Sequence, residues 1–95
     1  MITAKEIQEL KDLTFANESN EIKVVLLKDE EDNLLRLDIH TMKDGEIQDD
    51  FSLQDDEENE LVLTKEAENI VKALENSFQF MGQQYMKIVF EKMEV

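Results

Sequence analysis

His40, the only histidine, and an abundance of carboxylates are the residues of this chain that could do chemistry. A histidine acting as general base needs a nucleophile or a substrate proton within hydrogen-bond reach. None of Ser19, Ser52 or Ser77 forms a constellation with His40, so the pattern predicts a surface histidine on a polar strand face, beside Glu21 and Gln48. Adjacent acids such as Asp49 and Asp50 could share acid/base work, but a catalytic pair needs one member held in an apolar pocket, and neighbours on a strand point to opposite faces. With no Cys and only Gly45 and Gly82, neither a thiolate nucleophile, a P-loop nor a dinucleotide-binding turn can be written. Catalysis and cofactor binding are not expected.

Oxygen ligands for a metal ion are abundant in the sequence. Positions 1, 3, 5 and 12 of a calcium loop starting at Asp55 read Asp55, Glu57, Asn59 and Glu66, with Val62 at the apolar eighth position. The sixth position is Glu60 where the sharp turn requires Gly, and the segment before it is strand-like rather than helical. No specific metal site is predicted.

The acids themselves are unevenly distributed. Residues 29 to 60 hold fourteen of them against Arg36 and Lys43, a net of −12 within a chain whose total is −14. Charge runs are usually solvated faces and protect sheet edges from aggregation. Yet two like charges 10 Å apart repel by roughly 0.4 kcal/mol in water, and many such pairs sum against folding. A cationic partner is the more economical explanation. The second strand face, where Val25, Leu27, Leu34 and Met42 accompany Lys23, Arg36 and Asp38, offers a different surface that could take a partner or a second copy of the chain. The expectation is that a helix or the C-terminal segment covers it.

The elements that must position these groups follow from periodicity. At 95 residues, 41% hydrophobic, 36% charged and mean hydropathy −0.49, the chain reads as a single domain over 1–95. The absence of Cys suits a reducing compartment, and no basic region followed by an apolar run is present at the N-terminus, so neither a signal peptide nor a membrane span is expected and the cytoplasm is the predicted location. Thr3 and Glu6 fit a capping box and Ile2 and Ile7 a hydrophobic staple, predicting a helix that stops before Asn17-Glu18-Ser19-Asn20. Ile22, Val24 and Leu26, then Leu35, Leu37, Ile39 and Thr41, alternate as two strands. A hairpin loop of Asp29-Glu30-Glu31-Asp32 would set Leu26 opposite Leu35, Val24 opposite Leu37 and Lys23 opposite Asp38.

Asp44-Gly45 marks the next hairpin. A two-residue turn would put Leu37 and Ile39 opposite Ser52 and Asp50, mixing core and solvent faces, so a three-residue loop of Lys43, Asp44 and Gly45 is predicted, with Leu37 opposite Phe51 and Asp49 on the core face near Ile39. Gln54 to Glu60 reads as a solvated loop and Leu61-Val62-Leu63 as a short extended piece. Thr64 would N-cap a second helix whose stripe is Ala67, Ile70, Val71, Leu74, Phe78 and Met81, with Gly82 beyond its end. Met86, Ile88 and Phe90 alternate as a final strand. The expected fold is α+β: an antiparallel sheet of three or four strands packed with two helices, in the order α-β-β-β-α-(β).

With DEED at 29–32, DDF at 49–51 and DDEENE at 55–60 as its acidic elements, and with this size and element order, the chain resembles the small acidic phage proteins that inhibit CRISPR nucleases or restriction enzymes by imitating DNA. The resemblance implies a non-enzymatic inhibitor whose partner is a basic nucleic-acid-binding protein such as a nuclease. Direct binding to nucleic acid or membrane is not expected of so acidic a chain. The residues implied to meet the partner are Asp29, Glu30, Glu31, Asp32, Asp49, Asp50, Asp55, Asp56, Glu57, Glu58 and Glu60.

Overall fold

The computed structural model describes residues 2–31, 34–53, 59–79 and 86–94. Helix α1 spans Ala4–Ala16, strands β1, β2 and β3 span Glu21–Asp29, Leu34–Lys43 and Glu46–Leu53, helix α2 spans Glu60–Gln79, and strand β4 spans Lys87–Glu94. The sheet order is β3-β2-β1-β4.

Local signals set the ends of α1. The Thr3 hydroxyl accepts from the Glu6 N–H at 3.1 Å and the Glu6 carboxylate accepts from the Thr3 N–H at 3.0 Å, so the capping box forms. At the other end Ser19 N–H donates to the Thr14 carbonyl and Glu18 N–H to that of Phe15, the paired bonds of a Schellman motif. Glu18 takes the left-handed position, φ 54°, that glycine usually fills. The helix buries Leu10 and Thr14, and the Thr14 hydroxyl satisfies itself on the Leu10 carbonyl at 2.7 Å.

Strands β1 and β2 pair antiparallel with Leu26 opposite Leu37, Val24 opposite Ile39 and Ile22 opposite Thr41. The faces are those predicted, but the register is displaced by two residues because Asp29 extends β1 and faces Leu34. A displacement of two keeps every side chain on its face, so alternation cannot detect it. Lys23 accordingly faces His40 rather than Asp38 and pairs with Glu91 at 3.3 Å.

The β2–β3 connection is a two-residue turn. Asp44 and Gly45 both have positive φ, 51° and 86°, as a type I′ turn demands, and Lys43 faces Glu46. The Asn20 side chain holds Asp44, donating to its carboxylate at 3.1 Å. The face-mixing expected of this turn does not occur, because a bulge between Thr41 and Met42 resets the ladder: Met42 faces Ile47, then Thr41 faces Asp49, Ile39 faces Phe51 and Leu37 faces Leu53.

Helix α2 begins earlier than its sequence suggests. Asn59 is the cap, its side-chain oxygen accepting from the N–H groups of Leu61 at 2.9 Å and Val62 at 3.3 Å. Leu61-Val62-Leu63 is the first helical turn rather than an extended piece, and Thr64 lies inside the helix, its hydroxyl on the Glu60 carbonyl at 2.8 Å. Leu63 thereby joins the stripe of Ala67, Ile70, Leu74 and Phe78, all buried. Met81 and Gly82 lie outside the described residues.

The final strand forms, but the sheet is mixed and not purely antiparallel: β4 runs parallel to β1, with Ile22 beside Ile88 and Val24 beside Phe90. The direction follows from α2. Glu60 pairs with Lys28 near the C-terminal end of β1, and twenty helical residues return the chain about 30 Å toward that strand's start. A strand entering there beside β1 must run the same way. The buried side chains of both helices join Ile22, Val24, Leu26, Leu37, Ile39 and Leu53 in one core on one face of the sheet. Among the described residues no helix is long and apolar enough to cross a membrane.

Candidate functional site

The acidic residues fall into two settings. Asp29, Glu30, Glu31 and Glu60 gather at the end of the sheet where β1 and β4 finish and β2 begins, the end marked by Lys28 facing Leu35 and lying beside Glu94. Asp29 accepts from the Glu31 N–H at 3.1 Å, closing a local turn that leaves Glu30 and Glu31 exposed. Glu60 stands between Lys28 at 3.6 Å and Lys92 at 3.7 Å, tying α2 to both parallel strands. Asp32, Asp55, Asp56, Glu57 and Glu58 lie outside the described residues. The helix from Glu60 onward replaces the second half of the calcium loop that Asp55 to Glu66 would have formed.

Asp49 and Asp50 sit in mid-strand and face opposite ways. Asp49, on the helix side, accepts from the Asn17 side-chain amide while its own N–H donates to the Thr41 hydroxyl at 3.1 Å. The one acid predicted on the core face thus anchors the end of α1. Asp50 faces His40 across the ladder on the other side of the sheet.

That other side carries the site the sequence did not reveal. Alternation along β2 puts Asp38 and His40 together on the face away from the helices, and the bulge brings Asp50 into register with His40 and Ser52 with Asp38. His40 is buried, 8% exposed, not the surface histidine expected, and the Asp38 side chain is wholly buried. His40 Nε2 lies 3.6 Å from Asp50 Oδ2 and 4.0 Å from Asp38 Oδ2. Arg36 Nε lies 3.0 Å from Asp38 Oδ1, yet neither Asp38 oxygen accepts a hydrogen bond of good geometry among the described residues. Burial raises the pKa of Asp38 above the usual 3.8, and the neighbouring Asp50 carboxyl raises it further, while Arg36 and Ser52 pull it down. The D-x-H spacing of Asp38 and His40 was visible in the sequence, and the predicted register already set Asp50 opposite Asp38; the two-residue turn and the bulge move it opposite His40.

The apolar residues of the same face are enclosed as well. Val25 is 0% and Met42 5% exposed, although the core shared with the helices lies on the opposite face; Val25 stands in register between Asp38 and Glu91. Leu34 remains exposed. Between α1 and α2 an apolar groove of about 600 Å³ is lined by Ile2, Ile7, Val62, Ile70 and Ala73, with Lys65 at its rim. Comparison with protein-family models, curated proteins and solved structures finds no significant match for this chain.

Proposed function

We propose that this chain is a non-enzymatic inhibitor that imitates nucleic acid and occupies the basic DNA-binding groove of a nuclease, acting in the cytoplasm of the cell where that nuclease works. The observation that carries it is the collection of Asp29, Glu30, Glu31 and Glu60 at one end of a rigid sheet, where the described lysines Lys28 and Lys92 are both engaged by Glu60. Four further acids, Asp55 to Glu58, lie in the sequence between β3 and the start of α2. Duplex DNA presents one negative charge per about 1.7 Å of axis, and a groove built for it holds lysine and arginine in rows that carboxylates can also neutralise, releasing the same counterions.

Capture from native-cell extract tests this. A nucleic-acid-binding protein should be retained, duplex DNA should displace it, and the affinity should fall by about tenfold or more between 50 and 200 mM salt. Changing Asp55, Asp56, Glu57 and Glu58 to Asn and Gln should abolish capture while leaving the fold intact. A partner indifferent to both DNA and salt would overturn the proposal.

A further inference from the structure

We propose that Asp38, His40 and Asp50 bind one divalent transition-metal ion of the zinc type on the sheet face away from the helices. Their donor atoms, two carboxylate oxygens and one imidazole nitrogen, all lie within 4.8 Å of one another. Three protein ligands of this kind leave a fourth tetrahedral position for water. The imidazole nitrogen favours zinc-type ions over magnesium or calcium, which prefer oxygen throughout.

The buried carboxylate points independently to a ligand. The Asp38 side chain has no exposed surface, and its Oδ2, 4.0 Å from His40 Nε2, accepts no hydrogen bond of good geometry among the described residues. An unpaired carboxylate oxygen in such a place is costly, and a cation between it and the imidazole removes that cost. Arg36, against Oδ1, occupies the other oxygen and orients the group, the part an outer-shell residue plays around a metal.

The ladder fixes the backbone of all three ligands, with His40 and Asp50 directly opposite and Asp38 two residues along. Tetrahedral zinc with bonds of about 2.0 to 2.2 Å sets its ligands roughly 3.3 to 3.5 Å apart. The separations of 3.6 and 4.0 Å need to contract by less than an ångström. Asp50, half exposed on an edge strand, supplies that freedom.

The test uses the full chain, stripped with chelator and titrated with zinc chloride alone in 0.15 M salt. Calorimetry should show one ion per chain, unmoved by excess magnesium. Because His40 is the only histidine, nitrogen-15 spectra of the imidazole report it without ambiguity, and Nε2 should shift on saturation. His40→Gln and Asp50→Asn should each weaken zinc by more than about tenfold. Asp50 is half exposed, so its variant keeps the test valid if changing the buried His40 impairs folding. Zinc uptake that leaves the imidazole signal unchanged, or that survives both substitutions and vanishes when Asp55 to Glu58 are neutralised, is condensation on the acidic surface and overturns the site. The site is independent of the proposed inhibition: partner capture responds to Asp55 to Glu58, zinc to His40 and Asp50.

Discussion

The two faces of the sheet bury side chains equally well and by different means. Val24 and Val25 are neighbours on β1 and both have no exposed surface. Val24 belongs to the helix-covered core, packed with residues of α2 and the strands, whereas Val25 lies outside that cluster on the other face, in register between Asp38 and Glu91. Zero exposure therefore describes two environments, one in the apolar core cluster, the other flanked in the ladder by acidic residues and outside the face on which the described helices pack. The difference teaches that a buried carboxylate and histidine can be held on the sheet face opposite the one on which the described helices pack.

Four measurements test this contrast. The largest effect is expected from truncation under the helices: Val24→Ala should cost about 2.5 kcal/mol, the lost transfer energy of two methyl groups plus a cavity that the packed helices cannot close. Val25→Ala should cost about half as much, since it lies outside the helix-packed core and its surroundings can relax more readily. Denaturant unfolding measures both, and equal losses would remove the distinction between the faces.

Next in size is Asp38→Asn in the metal-free protein, which should gain about 1 kcal/mol at pH values above the titration of Asp38, by removing a carboxylate whose charged form burial disfavours. The sign follows from linkage. A carboxyl whose pKa is raised on folding binds more protons folded than unfolded between 3.8 and the raised value, so stability falls as pH rises through that window. The slope should be smaller in Asp38→Asn when melting temperatures are compared across acidic pH. A stability gain on raising pH that depends on Asp38 would contradict the assignment.

Thr3→Ala should cost about 1 kcal/mol through loss of the capping box, an effect confined to the helical layer and independent of the zinc-site residues. The smallest change is expected from Lys23→Ala. Its ion pair with Glu91 is surface-exposed and screened by salt, so the loss should stay below about 0.5 kcal/mol in unfolding experiments. A larger loss would show that this pair contributes more than a screened surface ion pair does.

Much of the architecture was legible from local chemistry. Thr3 and Glu6 announce α1, the alternation from Ile22 to Leu26 and from Leu35 to Thr41 separates the two faces, and the spacing of Ala67, Ile70, Leu74 and Phe78 identifies α2. Local sequence places the start of α2 too late because Leu61-Val62-Leu63 looks extended in isolation, while Asn59, two residues earlier, supplies the cap. The acidic concentration was equally plain, since net charge is a sum over residues and requires no fold.

What the sequence by itself determined was everything with a short range: caps, turn residues, the face on which each strand residue lies, and the charge imbalance of residues 29 to 60. Only the tertiary structure decided the parallel entry of β4, the two-residue displacement of β1 against β2, and the bulge that carries Asp50 to His40. The physical reason is that a period of two reports which side of a strand a residue occupies but not which strand lies beside it, in what direction, or at what offset. Those are settled by where helices return the chain and by how turns and bulges share one extra residue.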